Sequence, residues 1–234
     1  MIPLKDNVPS RTFPLVNVTL ILVNCLVFLY ELSLGPHLFL FIERYGIIPA
    51  RFFQPQGFDA DTMRGVITPL CSFMFIHGGW LHVVGNMLYL WIFGDNVEDR
   101  MGHPGYLLFY ISCGIASGLV QLLISPSSQL PIVGASGAIA GVMGAYLLLY
   151  PYARVVTLLF FFVIVQVVHI PAFFFLGFWF MLQFFSGSFS LGGQEGGVAW
   201  WAHIGGFLCG LLLVVPFTRR KKPVRWLLKK RHPW

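Results

Sequence analysis

The sequence predicts an all-α membrane protein, a bundle of six transmembrane helices with a long structured first extracytoplasmic loop. Three observations carry that reading. Hydrophobic side chains make up 57% of the 234 residues and charged ones only 10%, with a mean hydropathy of +0.76, whereas soluble chains carry about 25% Asp, Glu, Lys and Arg. Nine acids and fifteen bases cannot solvate a 26.4 kDa globule, so lipid must be much of the solvent. The apolar residues gather into runs of spanning length, and most bases fall on one side of those runs. Disorder and collagen are excluded, and a secreted disulfide scaffold does not fit. Cys25, Cys71, Cys113 and Cys209 have neither CxxC nor framework spacing and read as small core residues.

Residues 1–14 are expected to be a cytoplasmic N-terminal segment. Leu15–Leu34 is the first span, uncharged until Glu31. The preceding Lys5 and Arg11 suit a signal peptide, but about 20 apolar residues exceed a 7–15 residue h-region and no A-x-A site follows. The connection Gly35–Ile76 is far longer than ordinary loops and carries apolar clusters at Phe39–Ile42, Ile47-Ile48 and Phe52-Phe53. It is expected to pack on the outer face of the bundle, partly in the headgroups. Span two covers 82–97 and stops at the charged turn Asp95–Arg100. Pro104 suits the first turn of span three, 104–124. Ser125–Pro131 breaks the chain before span four, 136–150, which Pro151 and Arg154 close.

Val155–Phe185 holds 31 nearly all apolar residues interrupted at His169-Ile-Pro171. It is too long for one span and too short for two of about 20 residues. Val155–Val168 therefore reads as an interfacial or partly buried connector and 172–185 as span five. Ser186–Gly197 is a Gly- and Ser-rich loop, 198–215 is span six, and 216–234 is a basic tail. Six spans put both termini on one side with the second–third and fourth–fifth connections. Those segments hold twelve of the fifteen bases, leaving Arg44, Arg51 and Arg64 opposite. The excess of bases predicts cytoplasmic termini. The net charge of +6 is then an orientation device beside anionic lipid and calls for no nucleic acid.

Polar groups inside a span are costly and mark function by default. Three places stand out: His77-Gly-Gly-Trp-Leu-His82 with Asn86, Gly134-Ala-Ser136-Gly137, and His203. Spans two, four and six run in the same direction. Ser136 lies 18 residues before Arg154, His203 lies 16 before Arg219, and His82 lies 16 before Glu98. Those separations give about 27, 24 and 24 Å in upright helices. One depth, below the outer boundary, thus collects a hydroxyl, an imidazole and two further donors.

Each signal alone has a bland reading. Gly134, Gly137, Gly141 and Gly144 make a small-residue packing seam in which Ser136 would merely fit. A lone buried His usually bonds a carbonyl, and His82 with Asn86, one turn apart, could simply join two helices. Together they make an acyl-transfer site. Ser136 needs a base to accept its proton, and neutral His203 is the partner at that depth. N–H groups at the start of the fourth helix would hold an oxyanion, helped by its dipole. His82 and Asn86 add donors, each worth about 10²–10³ in rate. Gly134 and Gly137 permit the backbone turn and close substrate approach. No Asp or Glu is placed to orient His203, so a dyad is expected.

These residues together resemble the rhomboid intramembrane serine proteases. G-x-S-G stands as Gly134-Ala135-Ser136-Gly137, A-H-x-x-G-x-x-x-G as Ala202-His203 through Gly206 and Gly210, and H-x4-H-x3-N as His77, His82 and Asn86. The resemblance covers nearly the whole chain: six spans, the long first loop and the Gly94-Asp-Asn-Val-Glu-Asp99 turn. It implies a rhomboid-like catalytic domain over 15–215, with Ser136 as nucleophile and His203 as general base. His82, Asn86 and the Ser136 N–H would form the oxyanion hole, and His77 would organise the loop. Gly206 and Gly210 support the last helix. The fifth span would be a lateral substrate gate. The substrate implied is a transmembrane segment of another protein within the lipid bilayer, with no cofactor and no metal, and the compact form suits a prokaryotic plasma membrane. Two positions depart from the family pattern: Met63-Arg64 replaces an aromatic–polar pair, and Ala140 stands where an aromatic can cover the histidine.

Rival readings fit less well. A silent relative that only binds membrane segments would usually lack Ser136 or His203. A metalloprotease using His77, His82, His169 or His203 would need the absent HExxH, and His169 suits an interfacial or capping place before Pro171. A transporter should repeat its halves. Ala138 breaks the soluble-esterase G-x-S-x-G.

Overall fold

The computed structural model describes residues 1–53, 60–161, 164–190 and 197–218, with the backbone alone for 60–64, 161 and 164. Strand β1 (Ile2–Lys5) precedes helix α1 (Leu15–Ser33). The first connection holds a 3₁₀ turn at Gly35–His37, then α2 (Leu38–Tyr45), α3 (Pro49–Phe52), α4 (Ala60–Ser72) and a second 3₁₀ turn at Phe73–Phe75. There follow α5 (Trp80–Met101), α6 (His103–Ile124), α7 (Ser136–Leu149), β2 (Arg154–Phe161), β3 (Ile164–Pro171), α8 (Ala172–Ser190) and α9 (Trp200–Phe217). The architecture is an all-α membrane bundle with one small sheet. Among the described residues α1, α6, α8 and α9 are long and apolar enough to cross a bilayer. Gly65–Phe75 with Trp80–Met101 makes a fifth candidate, bent by 77°, and α7 is a shorter apolar helix.

Helix α7 is the centre of the bundle. Every residue from Gly137 to Tyr146 is buried, as a helix apolar on all sides requires. Glycine makes this possible. A methyl group on Gly206 would lie 2.0 Å from the Gly137 carbonyl oxygen, and one on Gly210 2.0 Å from that of Gly141. The backbones of α7 and α9 therefore touch directly, the small-residue packing that substitutes for a hydrophobic drive in lipid. On the other flank Gly137 and Gly141 meet Ser117 and Cys113 of α6. Gly137 thus serves packing rather than substrate approach.

At the opposite end, carboxylates of α5 hold the start of α1. Glu98 accepts the Val16 and Asn17 N–H groups at 2.9 and 2.8 Å and also pairs with His103. Asp99 accepts the Arg11 and Thr12 N–H groups at 2.6 and 3.0 Å and the Thr12 hydroxyl. Helix-start N–H groups have no partner of their own and carry positive charge. Because its acids are satisfied this way, the expected charged turn Asp95–Arg100 is instead the last turns of α5. Gly102 (φ 76°) then ends the helix.

The long connection also departs from expectation. Phe39 and Leu40 are exposed, but Ile47, Ile48, Phe73 and Met74 are fully buried. Ile47 and Phe73 fill the space over Gly118, and Met74 that over Gly114 of α6. This loop is core as well as cover. Met63 and Arg64 fall in α4, and their side chains lie outside the described residues, as does the basic tail from Arg219.

The connector before α8 is a β-hairpin. Arg154 pairs with Pro171 and Phe161 with Ile164, while β1 adds antiparallel to β2 with Ile2 opposite Leu158, giving the order β1-β2-β3. Val155, Val156, Thr157, Val165, Val167, Val168 and Ile170 are β-branched, stiff at χ1 and suited to a pleated surface. An apolar run too short to cross twice can satisfy its backbone by pairing with itself. His169 is exposed on β3 and caps nothing. The first α8 N–H groups donate to the Ala153 and Pro151 carbonyls at 2.7 and 3.0 Å. Helix α8 runs on to Ser190, past the predicted loop start at Ser186.

Candidate active site

Helices α5, α7 and α9 begin at the same end of the bundle and bring their first turns together. Ser136 is the first residue of α7 and His203 the fourth of α9. The Ser136 Oγ is 2.8 Å from the His203 Nε2. The glycine seam fixes this distance, because it leaves α7 and α9 no room to slide apart or rotate.

The approach to Ser136 depends on Gly134. Its φ of +125° lies where side chains are strained, and its N–H donates to the Phe73 carbonyl at 2.9 Å. A methyl there would sit 2.6 Å from the His82 Nε2 and 3.6 Å from the Ser136 Oγ. Gly134 therefore keeps open the space between these two groups. His82 Nδ1 accepts the Gly78 N–H at 3.4 Å. In the neutral ring this leaves the proton on Nε2, facing the serine. Asn86, one turn along, is only 9% exposed, and its Nδ2 has no partner among the described residues.

These groups line one cavity of about 460 Å³, with Ser136, His203, His82, Asn86 and Gln183 on its polar side and Tyr89, Met143 and Trp179 on its apolar side. The start of α7 adds unpaired N–H groups and a positive dipole end. Such a cavity can place a carbonyl carbon beside a hydroxyl and surround its oxygen with donors.

His77 stands just behind this set. Its backbone N–H donates to both carboxylate oxygens of buried Glu31, each at 3.2 Å, and its ring packs edge-on against His82 at 5.1 Å. Neither ring nitrogen has a partner among the described residues. Gly206 and Gly210 lie outside the cavity, in the α7–α9 seam. Among the described residues no three His, Cys, Asp or Glu side chains converge on a common point as a metal-ligand set would.

Three groups at the site escaped the sequence reading. Gln183 of α8 places its Oε1 2.8 Å from the His203 Nδ1. The Trp179 ring lies over His203 with centroids 5.9 Å apart and a 36° tilt, and Trp200 meets the same ring edge-on at 6.2 Å. The aromatic cover missing at Ala140 thus comes from α8. A search for a carboxylate to orient His203 passes over an amide, although Gln183 is the one amide in the apolar run Phe173–Phe185 and the cost of burying it was a visible signal. Gln121 is a similar case: its Oε1 accepts the Ala202 N–H at 3.1 Å and ties α9 to α6.

A polytopic helical membrane protein with a serine–histidine pair at a shared helix-start cavity is the class that fold and site define. The rhomboid domain profile matches residues 64–220. The chain belongs to the rhomboid family. It is 34% identical over 93 residues to rhomboid-like protein 11, chloroplastic, of Arabidopsis thaliana, covering 38% of this chain and 33% of the relative. It is 34% identical over 90 residues to rhomboid protein 1, mitochondrial, of Saccharomyces cerevisiae, covering 37% and 26%. It is 38% identical over 82 residues to rhomboid protease GluP of Bacillus subtilis, covering 35% and 15%. The matched stretch spans about a third or less of each of these curated relatives.

Proposed function

We propose that the chain is an intramembrane serine endopeptidase that cuts transmembrane segments of other proteins. The observation that carries this reading is the 2.8 Å contact between Ser136 Oγ and His203 Nε2, inside a cavity that also presents donors. In the acylation step the Ser136 oxygen bonds to the substrate carbonyl carbon while its proton passes to His203 Nε2. The carbonyl oxygen becomes an oxyanion held by the Ser136 N–H, the His82 Nε2–H and the Asn86 amide. The carbon–nitrogen bond then breaks, and His203 gives its proton to the leaving amine. Water then attacks the acyl ester and loses a proton to His203; the bond between the acyl carbon and Ser136 Oγ breaks, and His203 passes that proton to the departing Oγ. No cofactor takes part. His77, held through Glu31, keeps His82 in place from behind.

The substrate class is supported by the company the cavity keeps: Trp179 and Gln183 of α8 are among its lining, and the exposed face of that helix is apolar, which suits a segment that arrives through lipid. The charge distribution supports an orientation with both ends of the chain on the cytoplasmic side. The test is cleavage of a reporter transmembrane segment co-reconstituted in liposomes. The wild type should cut it, and Ser136→Ala and His203→Ala should each abolish the cut. Undiminished cleavage by Ser136→Ala would overturn the reading.

A further inference from the structure

We propose that Gln183 is a positioning residue for the general base, fixing which nitrogen of His203 is free to take the serine proton. This rests on the function proposed above and extends it from a pair to a linear array, Ser136–His203–Gln183. Gln183 is only 7% exposed, on the inner face of a helix whose outer face is phenylalanine. A primary amide in that setting is retained only where its groups find partners. Both do. The Gln183 Nε2 donates to the Trp179 carbonyl at 3.3 Å, one turn earlier, and Oε1 faces the His203 Nδ1 at 2.8 Å.

The Trp179 contact decides which way round the amide sits. A carbonyl oxygen can only accept, so the amide nitrogen must face Trp179 and the oxygen must face His203. That oxygen can only accept as well, so the His203 Nδ1 bears a proton. A neutral ring then has its lone pair at Nε2, the atom 2.8 Å from the Ser136 Oγ. The tautomer required of a general base is thus set by a chain of two hydrogen bonds that starts at a helix backbone. When Nε2 gains the serine proton, the Nδ1–H bond to Gln183 strengthens, because its donor is now charged.

An amide suits this place better than a carboxylate would. Buried beside lipid, an ionised acid would carry a heavy desolvation cost, whereas the amide supplies an acceptor with no net charge. Trp179 and Gln183 lie one turn apart on α8 and hold His203 by its face and its Nδ1 together. The site is therefore complete only while α8 is seated against α9.

The test compares Gln183→Leu, Gln183→Met and Gln183→Glu with wild type, in liposomes, by kcat and KM for the reporter segment and by thermal unfolding. Leu and Met remove the acceptor, and Met keeps the shape. Both should lower kcat about 10- to 10²-fold with KM within about twofold. Glu, held neutral by the same desolvation, can donate its hydroxyl to the Trp179 carbonyl and accept from Nδ1 through its other oxygen, and should recover most of the loss. A merely structural role would show the opposite pattern, with Met restoring activity and losses tracking thermal stability. That pattern, or an unchanged kcat in Gln183→Leu, overturns the assignment while leaving the Ser136–His203 reading intact. A wild type that cuts nothing would overturn that reading, and this one with it.

Discussion

Ser136, the proposed nucleophile, and Gln183, proposed to orient its base, sit on two very different helices. Helix α7 buries ten of its fourteen residues and touches α9 backbone to backbone. Helix α8 buries five of nineteen and meets α9 through rings, Trp179 and Phe180 against Phe207 at 6.0 and 4.9 Å. Its outer face shows Phe173, Phe174, Phe178, Phe184 and Phe185. The first helix has one packing solution. The second can shift on a soft aromatic surface. The bundle thus holds Ser136 on its most tightly packed helix and Gln183 on its least tightly packed one, which under the proposed function is the wall nearest an arriving substrate. The same helix carries Trp179 against the His203 ring and Gln183 at its Nδ1, so the proposal links substrate arrival with base orientation.

The sharpest way to break the contrast is to disturb the rigid side. Gly210→Val puts a side chain 2.0 Å from the Gly141 carbonyl oxygen, a clash with backbone that no rotamer relieves. It should cost about 3 kcal/mol or more, read as a collapse of the detergent-solubilised thermal midpoint or loss of folded yield. Next comes the chemistry held by that frame. Asn86→Ala should leave folding nearly unchanged, since the amide nitrogen has no partner among the described residues, and lower kcat about 10²- to 10³-fold. An equal loss of stability and rate would instead make Asn86 a structural strut.

The soft side predicts smaller and uneven effects along one helix. Phe175 is buried against Phe93 and Tyr89, with ring centroids 6.3 and 6.4 Å away, while its neighbour Phe174 is exposed. Phe175→Ala should destabilise by about 2 kcal/mol, at the low end for core truncations because lipid refills part of the hole. Phe174→Ala should stay below about 0.5 kcal/mol. Equal effects would erase the inner and outer faces assigned to α8.

The smallest effect concerns the N-terminal segment that ties the sheet to the bundle. Burial raises the Asp6 carboxyl above its ordinary value of 3.8, while the donating Tyr146 hydroxyl works against this. The Asn96 amide also donates to it, at 3.1 Å. The folded state therefore binds this proton more tightly than the unfolded chain does. Its stabilising contribution is full below the ordinary value and is lost as pH rises through the raised one. Thermal midpoints from pH 3.5 to pH 7, chosen to bracket about that window, should show a decline that Asp6→Asn flattens. An Asp6→Asn curve that overlays wild type would remove Asp6 from the account.

What the sequence made legible follows the same division. Ser136, Gly137, His203, Gly206 and Gly210 belong to helices whose spacing is regular, so counting along them anticipates that Ser136 and His203 meet. Depth arithmetic brought Ser136 and His203 to one level because α7 and α9 are parallel and start together, although the count from Arg154 ran past the end of α7 at Leu149 into β2. The β-hairpin was hidden because an unbroken apolar run carries no alternation to set a strand apart from a buried helix. Gln183 was hidden for another reason. Its role depends on which face of α8 turns inward, and a helix apolar all round has no stripe from which to read that face. Glu98 and Asp99 looked like a surface turn because their partners, the N–H groups from Arg11 to Asn17, lie more than eighty residues earlier.

The central claim is that the Ser136 hydroxyl is made nucleophilic by His203. The most direct measurement is intact-mass analysis after fluorophosphonate treatment of the solubilised protein, with the modified peptide sequenced. A single adduct on Ser136, absent from Ser136→Ala and much slower to form in His203→Ala, is the predicted result. An adduct that persists in Ser136→Ala, or that forms as fast without His203, would contradict it.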